Sequence, residues 1–199
     1  LIDSVAEQAA LYLGLLQELK LNLVYLLETH AHADHVTGAG LMKERTDALT
    51  ATGRHTGTTC ADVQLADGDT LVFGDELIRV IATPGHTPGG TSWTWRSCEA
   101  GRCLDIAYTD SVSAISDAQY RYLDHPQMVE AFRRGLDTLA ALPCDVHVTP
   151  HPLGSNLFIR LQGDAATPLV QPGACRRYAQ MGHTQLDTRL AEEAAGRAP

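Results

Sequence analysis

The chain has 199 residues, of which 44% are hydrophobic and 20% are charged, so it can bury one sizeable core but is short for two. Its formal net charge of −9 disfavours a nucleic-acid partner, because phosphate binding needs clustered Lys and Arg to displace counterions. No apolar run approaches the roughly 20 residues that span a bilayer, so no membrane partner is expected either. The prediction is a single domain over residues 1–199.

The first half of the chain alternates helical and β-prone segments. Apolar residues recur at helical spacing over 5–19, and the β-prone run 23–27 predicts a buried strand after this helix. A glycine-rich start predicts a short helix over 38–43. Strands bounded by Gly and Asp turn signals are predicted at 48–52, 70–73 and 76–82. We therefore expect the middle of the chain to form an antiparallel meander.

The second half continues this mixture of strands and helices. Residues 91–96 and 103–109 are predicted strands, and Pro126 to Leu142 has the apolar stripe of an amphipathic helix. Residues 146–149 form a last predicted strand, followed by loop and a polar C-terminal helix. Such an order favours an α/β sandwich with sheets inside and helices outside.

A dense group of metal-competent side chains follows the strand predicted at 23–27. The group consists of His30, His32, Asp34 and His35. Packing does not explain this density, because His and Asp are costly to bury unpaired. Alternate residues of an extended segment share a face, so His30 and His32 can bind one ion while Asp34 and His35, where the chain turns, face a second.

Each ion then needs another histidine, since catalytic zinc has three protein ligands and one open position. His86 and His151 are the candidates, because Pro and Gly on both sides of His86 and Pro on both sides of His151 stiffen the loops that hold them. The other histidines lack such settings and are not expected in the site: His55, His125, His147 and His183. His147 alternates with two valines, which indicates a strand residue that faces solvent or makes a hydrogen bond.

The five cysteines leave two interpretations open. Cys98 and Cys103 flank a Gly-containing connection between two predicted strands, so a hairpin could bring them to disulfide distance. A disulfide would imply an oxidising compartment. The alternative is five reduced thiols in a cytosolic protein. An odd count leaves at least one free thiol in either case.

The His-x-His-x-Asp-His loop, the Gly-His-Thr-Pro-Gly loop and the late loop histidine together resemble the metallo-β-lactamase superfamily, over nearly the whole chain. The resemblance implies an αββα fold with its metal site at one edge of two packed sheets. It also implies two sets of metal ligands: His30, His32 and His86 around one ion, and Asp34, His35 and His151 around the other. Superfamily domains normally begin with one or two strands before the equivalent of Leu1, so those first strands are expected to be absent here.

The two parts of the chain resemble different branches of that superfamily. Residues 1–90 are similar to persulfide dioxygenases, through Leu1-Ile2-Asp3, Glu28-Thr29-His30 and the loop at 83–89. Residues from 91 onward are similar to subclass B3 metallo-β-lactamases, through segments such as 108–113 and 149–152. The chain is thus predicted to be a mosaic, natural or constructed. Cys144 and Cys175 match a disulfide of that subclass, and Cys98 with Cys103 match a second one found in some members.

One position favours the lactamase branch. The dioxygenases carry an aspartate ligand after a strand, and the alignment places Ser111 there, with Asp110 one residue too early. A slip of one residue along a strand turns a side chain to the opposite face, so we expect Asp110 to be a poor substitute for that ligand unless the loop shifts. A single iron held by two histidines and a carboxylate would then lose its carboxylate.

The function predicted from these features is a hydrolase with two zinc ions per chain that opens the β-lactam ring by a metal-bound hydroxide. Such an enzyme would confer antibiotic resistance from the periplasm. Asp34 is predicted to help in catalysis, and the resemblance implies that Ser111 and Ser113 bind the substrate carboxylate. The alternatives are a persulfide dioxygenase with one Fe²⁺ and a truncated, non-catalytic metal-binding domain.

Overall fold

The computed structural model describes residues 1–117, 119–163 and 166–197, and within them two sheets lie between layers of helices. The strands are β1 (Tyr25–Glu28), β2 (Leu49–Gly53), β3 (Val63–Leu65), β4 (Thr70–Phe73), β5 (Glu76–Ala82), β6 (Thr91–Glu99), β7 (Arg102–Tyr108) and β8 (Val146–Val148). The helices are α1 (Ala9–Glu18), α2 (Ala39–Thr46), α3 (Pro126–Ala141), α4 (Leu157–Leu161) and α5 (Ala174–Ala194). The predicted α/β sandwich is confirmed.

The first sheet has the order β1-β2-β3 and is parallel. Helix α2 carries the chain from β1 to β2, because parallel neighbours need a crossover and cannot be joined by a tight hairpin. The prediction that residues 48–52 belong to an antiparallel meander is therefore wrong. Ile2 adds to this sheet through a parallel bridge to Leu27, which places Leu1 to Asp3 beside the strand that leads to the histidines.

The second sheet has the order β4-β5-β6-β7-β8 and contains the predicted meander. Strands β4 to β7 are antiparallel neighbours, and β8 joins β7 in parallel after the crossover through α3. Ala100 and Gly101 form the tight turn between β6 and β7 with positive φ angles of 49° and 80°. Cys98 lies directly opposite Cys103 in this hairpin, and the two form a disulfide.

The core lies between the sheets and beneath the helices on either side. Leu27 and Ala51 of the first sheet share a buried cluster with Val80 and Trp93 of the second. Helix α3 buries its apolar stripe, and Phe132 and the other large side chains in such a stripe each contribute roughly 1.5–3 kcal/mol on full burial. Among the described residues no helix is both long and apolar enough to cross a membrane.

A disulfide and a buried arginine stabilise the segment around β8. The Cys144–Cys175 disulfide joins the start of this strand to α5, while Cys60 is exposed and free. Arg160 is buried and donates to the carbonyl oxygens of His147 at 2.6 Å and Ser155 at 3.1 Å. These contacts hold the loop after β8 against the second sheet.

Candidate metal centre

His30 lies two residues beyond the end of β1 and is buried. Its Nδ1 lies 2.8 Å from Oδ1 of Asp110, and the Thr29 hydroxyl lies 3.0 Å from the same nitrogen. A carboxylate on Nδ1 fixes the tautomer of a histidine and leaves Nε2 as the atom that can bind a metal.

His32 is enclosed by two carboxylates. Its Nε2 lies 3.2 Å from Oδ1 of Asp3 and 3.5 Å from Oε2 of Glu28. Asp3 accepts hydrogen bonds from the backbone and hydroxyl of Thr29, and Glu28 accepts one from Thr37 at 2.5 Å. Burial acts to lower the pKa of His32, but the two carboxylates outweigh it and raise this pKa to about 10. Both acids lie on the Nε2 side of the ring, so Nδ1 faces the centre, and a metal ion that binds there would displace the proton of Nδ1.

His86 completes a set of three rings. Its ring meets that of His30 edge to face at 4.9 Å, and the rings of His30 and His32 are 4.0 Å apart. His86 Nδ1 donates to the carbonyl oxygen of Ser113 at 2.9 Å, which leaves Nε2 free. Burial lowers the pKa of His86 and so favours the neutral imidazole that binds metals. A Cβ at Gly85 would lie 2.0 Å from the Phe132 ring, so only glycine fits before this histidine.

The remaining three predicted ligands lie beside these rings but nearer to solvent. The rings of His32 and His35 are 4.3 Å apart, and His35 Nδ1 lies 3.3 Å from Oδ1 of Asp34. Oδ2 of Asp34 lies 3.7 Å from Nε2 of His151. Burial acts to raise the pKa of Asp34, but hydrogen bonds from its backbone and His35, with the charges of His35 and His151, lower it. The structure thus brings all six predicted ligands together.

The donor set fits a bound metal. Both ring nitrogens of His32 and Nε2 of His35 are buried and lack a hydrogen-bond partner among the residues that the structure describes. An unsatisfied buried polar atom costs about 1–3 kcal/mol, which a metal ion at Nδ1 of His32 and Nε2 of His35 would offset. Ligand atoms of His32, Asp34 and His35 lie within 4.8 Å of one another. Imidazole nitrogen with a carboxylate suits zinc and also iron.

Asp110 points toward the site, because the loop after β7 shifts out of strand geometry, which is the exception that the sequence left open. The backbone leaves strand geometry after Tyr108, and the Asp110 carboxylate turns back onto His30 while also accepting the Ser111 amide at 2.7 Å. Complete burial raises the pKa of Asp110, and the hydrogen bond with His30 acts against this rise. A Cβ at Gly90 would lie 2.4 Å from Asp110 Oδ2, so the glycine-rich loop makes room for the carboxylate.

The two predicted substrate-binding serines lie behind His86. Ser111 is buried, and its hydroxyl accepts the backbone N–H of Ser113 at 3.3 Å. Ser113 in turn supplies the carbonyl oxygen that holds His86. Neither serine is among the residues that line the adjacent cavity, and their role in substrate binding stays a prediction.

The histidines that were not expected in the site have varied settings. His147 is buried in β8 with Nε2 2.8 Å from the Thr109 hydroxyl, which matches the predicted hydrogen bond. Burial, with the charges of Arg160 and Arg177 behind it, lowers the pKa of His147 to about 4. His55 is exposed, and half-buried His183 pairs with Asp137 at 3.2 Å.

A cavity of about 990 Å³ opens beside the metal centre. Four of the predicted ligands line one side of it: His30, Asp34, His86 and His151. The other side is formed by the segment that leads into α3 and by the start of that helix, with Ile115, Tyr120, His125 and Met128. Sequence reasoning missed His125 as a lining residue, because no metal-like spacing marks it. A small molecule in this cavity would have contact with the ligands on one side and with this wall on the other.

Comparison with known families and curated proteins finds relatives of more than one activity. A family profile described as Metallo-beta-lactamase superfamily matches residues 1–151. The chain is 40% identical over 89 residues to the mitochondrial persulfide dioxygenase ETHE1 of Homo sapiens, which covers 45% of this chain and 35% of that protein. It is 30% identical over 183 residues to the hydroxyacylglutathione hydrolase of Acidiphilium cryptum, covering 87% of this chain and 70% of that protein. The chain thus spans about a third of the length of the dioxygenases it matches.

The solved structures that resemble this fold include metallo-β-lactamases. MIM-1 from Novosphingobium pentaromativorans has a TM-score of 0.88 and 37% identity, covering 99% of this chain and 81% of MIM-1. SMB-1, solved with mercaptoacetic acid, has a TM-score of 0.86 and 32% identity, covering 96% of this chain and 85% of SMB-1. MEM-A1, a subclass B3 enzyme from a soil metagenome library, has a TM-score of 0.87 and 27% identity, covering 98% of this chain and 86% of MEM-A1. Relatives of both predicted kinds are therefore found, the dioxygenases by sequence and the lactamases by structure.

Proposed function

This chain belongs to the metallo-β-lactamase superfamily, and we propose that it is a zinc-dependent hydrolase that opens the β-lactam ring of antibiotics. The observation that carries the proposal is one cavity with four of the six metal-competent side chains in its wall and the other two directly behind them. Solved metallo-β-lactamases with 32–37% identity support it, because they match this arrangement of sheets over 96–99% of the chain.

His30, His32 and His86 would hold one zinc ion, and Asp34, His35 and His151 the other. When bound, the two ions supply a hydroxide that is available near neutral pH and a positive charge that polarises the amide carbonyl. The residues around the first three ligands fix their orientation. Asp110 and the Ser113 carbonyl each accept a hydrogen bond from the Nδ1–H of a histidine, of His30 and His86 respectively, and so aim the other nitrogen at the ion.

Asp34 is the candidate for a further role as a proton carrier. Its side chain is 51% exposed and lines the cavity, unlike the completely buried Asp110. Its carboxylate is ionised at neutral pH, and its place in the cavity wall lets it take a proton near the scissile amide. In this proposal Asp34 passes that proton to the departing ring nitrogen.

The substrate carboxylate would bind near Ser111 and Ser113 if the loop behind His86 opens toward the cavity. Replacing both serines with alanine should then raise KM for a β-lactam more than it lowers kcat. An unchanged KM would show that these hydroxyls only support the His86 loop.

A second candidate is a persulfide dioxygenase with one Fe²⁺, favoured by the 40% identity to ETHE1 over 89 residues. The hydroxyacylglutathione hydrolases, which match more of the chain, add a thioester as a substrate to test. A third candidate is a truncated, non-catalytic metal-binding domain. The position of Asp110 bears on the dioxygenase, which needs a carboxylate ligand for its iron. Asp110 Oδ1 is taken by His30 and the Ser111 amide, but its buried Oδ2 has no hydrogen-bond partner among the described residues.

The test is metal analysis of the purified chain beside assays of a chromogenic cephalosporin, a hydroxyacylglutathione and glutathione persulfide, each with and without a chelator. Two zinc ions and chelator-sensitive cephalosporin hydrolysis are expected. His86→Ala should abolish this activity, whereas His183→Ala, outside the site, should keep it. One iron with persulfide-dependent oxygen uptake would identify the dioxygenase instead. Bound metal without turnover of any of the three would identify the non-catalytic domain.

The two disulfides support an oxidising compartment for this chain. We propose the periplasm, where a β-lactamase meets its substrates before they reach their targets.

A further inference from the structure

The wall of the cavity opposite the metal ligands contains two stacked rings that the proposed reaction does not use. The rings of Tyr120 and His125 are parallel, with an interplanar angle of 10° and centroids 4.7 Å apart. Both side chains line the cavity, Tyr120 half-buried and His125 exposed. A stacked pair with one open face is a platform on which a third flat group can lie.

Hydrogen bonds and a ring contact position the platform, which consists of the Tyr120 and His125 rings. Tyr120 donates its N–H to Asp117 Oδ1 at 2.7 Å, and its ring meets that of Tyr122 edge to face at 5.4 Å. Tyr122 is buried and donates its hydroxyl to the carbonyl oxygen of Gly85 at 3.3 Å. Because Gly85 precedes His86, the platform is tied to the loop of a predicted metal ligand. A ring contact and a hydrogen bond therefore connect the platform to the loop that holds His86.

The backbone beneath the platform is anchored a second time, to the C-terminal helix. Glu193 of α5 accepts the N–H groups of Tyr122 at 3.1 Å and of Leu123 at 2.9 Å. His125 in turn donates its N–H to the carbonyl oxygen of Tyr122 at 2.9 Å. An ordered platform costs little conformational entropy when a ligand binds to it.

The surroundings indicate what the platform recognises. Ile115 and Met128 add apolar surface to the same wall, and the lining contains no Lys or Arg among the described residues. An anionic group would find no cation at this end of the cavity, whereas an uncharged aromatic group would find both stacking and apolar contacts. The chemistry of this wall therefore differs from that of the metal side.

We propose that Tyr120 and His125 form a subsite for an uncharged aromatic side chain of the substrate, while its scissile amide lies at the metal ligands. This inference rests on the proposed function, because it names the β-lactam class that the cavity prefers. Substrates with an aromatic acyl side chain gain the stacking contact, and those without one do not. Stacking of this kind corresponds to roughly a two- to tenfold difference in kcat/KM.

The test compares benzylpenicillin with 6-aminopenicillanic acid, which lacks the aromatic side chain, on the zinc-loaded protein. His125→Ala should lower kcat/KM for benzylpenicillin by roughly two- to tenfold and leave that for 6-aminopenicillanic acid unchanged. His125→Phe, which keeps a ring, and Gln127→Ala, on the same wall without one, should both retain the preference. An equal loss on both substrates, no loss on either, or a lower zinc content in His125→Ala would overturn the subsite.

A binding measurement separates failure of the subsite from failure of the proposed function. The probes are 2-phenylethanethiol and 1-propanethiol, titrated calorimetrically into the zinc-loaded protein, since thiols bind zinc directly. The wild type should prefer the aromatic thiol, and His125→Ala should lose that preference. If neither β-lactam is hydrolysed but this preference is found, the proposed function is wrong and the subsite stands for another substrate class. Equal affinity of the wild type for both thiols overturns the subsite.

Discussion

The two halves of the metal centre are built differently. The inner half, His30, His32 and His86, is buried or nearly so, and each ring is oriented by a protein oxygen on its other nitrogen. The outer half, Asp34, His35 and His151, includes two side chains that are 51% and 59% exposed. Partners that fix a ligand before the metal arrives raise the affinity for that metal, so we expect the inner half to bind first and more tightly.

The difference follows from where each half lies in the fold. The inner histidines lie next to the ends of buried strands, where Asp3, Glu28 and Asp110 can reach them. The outer residues lie on the turn after His32 and on the loop after β8, which face solvent. Burial permits orientation by carboxylates, whereas exposure permits access by substrate. The centre thus combines one ordered half with one accessible half.

The largest expected effect comes from removing one ligand of each half. Zinc titration of the metal-free wild type should show that one equivalent of zinc binds tightly and a second equivalent of zinc binds more weakly. His86→Ala should remove the tight one and His151→Ala the weaker one, as measured by competition with a chromophoric chelator. His183→Ala, at a histidine outside the centre, is the control and should bind zinc as the wild type does. Loss of the tight equivalent in His151→Ala would reverse the comparison.

The next effect concerns acid stability of the strand that leads to His151. Since the pKa of His147 is lowered from 6.5 to about 4, the unfolded chain takes up its proton first as the pH falls. The contribution of His147 to the free energy of unfolding is therefore fully present above about pH 6.5. It should be lost as the pH falls toward 4, by up to roughly 3 kcal/mol. His147→Asn can keep a hydrogen bond to Thr109 but cannot titrate, so its denaturant midpoint should fall less in this window. Parallel pH profiles of wild type and variant would assign the acid sensitivity to other groups.

A smaller effect is expected at the carboxylate that orients His30. Asp110→Asn can keep a hydrogen bond but not the negative charge, and should weaken the tight zinc equivalent by roughly 10–100-fold. The weaker equivalent should not change, because Asp110 has no contact with the outer ligands in the part of the chain described. Asp137→Asn, at an exposed aspartate of α3, is the matched control. An equal loss at both equivalents would mean that Asp110 supports the whole centre rather than its inner half.

The ligands could be predicted from the sequence because their spacing is local and their chemistry is unusual. Four metal-competent side chains in six residues have few structural explanations, and proline-glycine loops point to the other two. The amphipathic pattern of α3 and the hairpin of Cys98 and Cys103 were predictable for the same reason. In each case the determining interactions lie within a few residues of one another.

The features that the sequence does not predict depend on contacts between distant segments. The turn of Asp110 toward His30 joins residues 80 apart, and a strand rule cannot describe a backbone that has already left the strand. The parallel pairing of β2 depends on the crossover through α2, which residues 48–52 do not indicate by themselves. Strand β3 has three residues and helix α4 has five, too few for a periodicity to be recognised. His125 is brought to the cavity by the packing of the segment that precedes α3.

The smallest expected effect is at Glu28, the second carboxylate beside His32. Glu28→Gln keeps an oxygen for the Thr37 hydroxyl, and Asp3 stays 3.2 Å from His32 Nε2, so the tight zinc equivalent should weaken by at most about tenfold. Asp3→Asn should cost slightly more, because Asp3 is nearer. Since either acid can orient the ring alone, the double variant should lose more affinity than the two single losses combined. Additive losses would mean that only one of the two carboxylates orients His32.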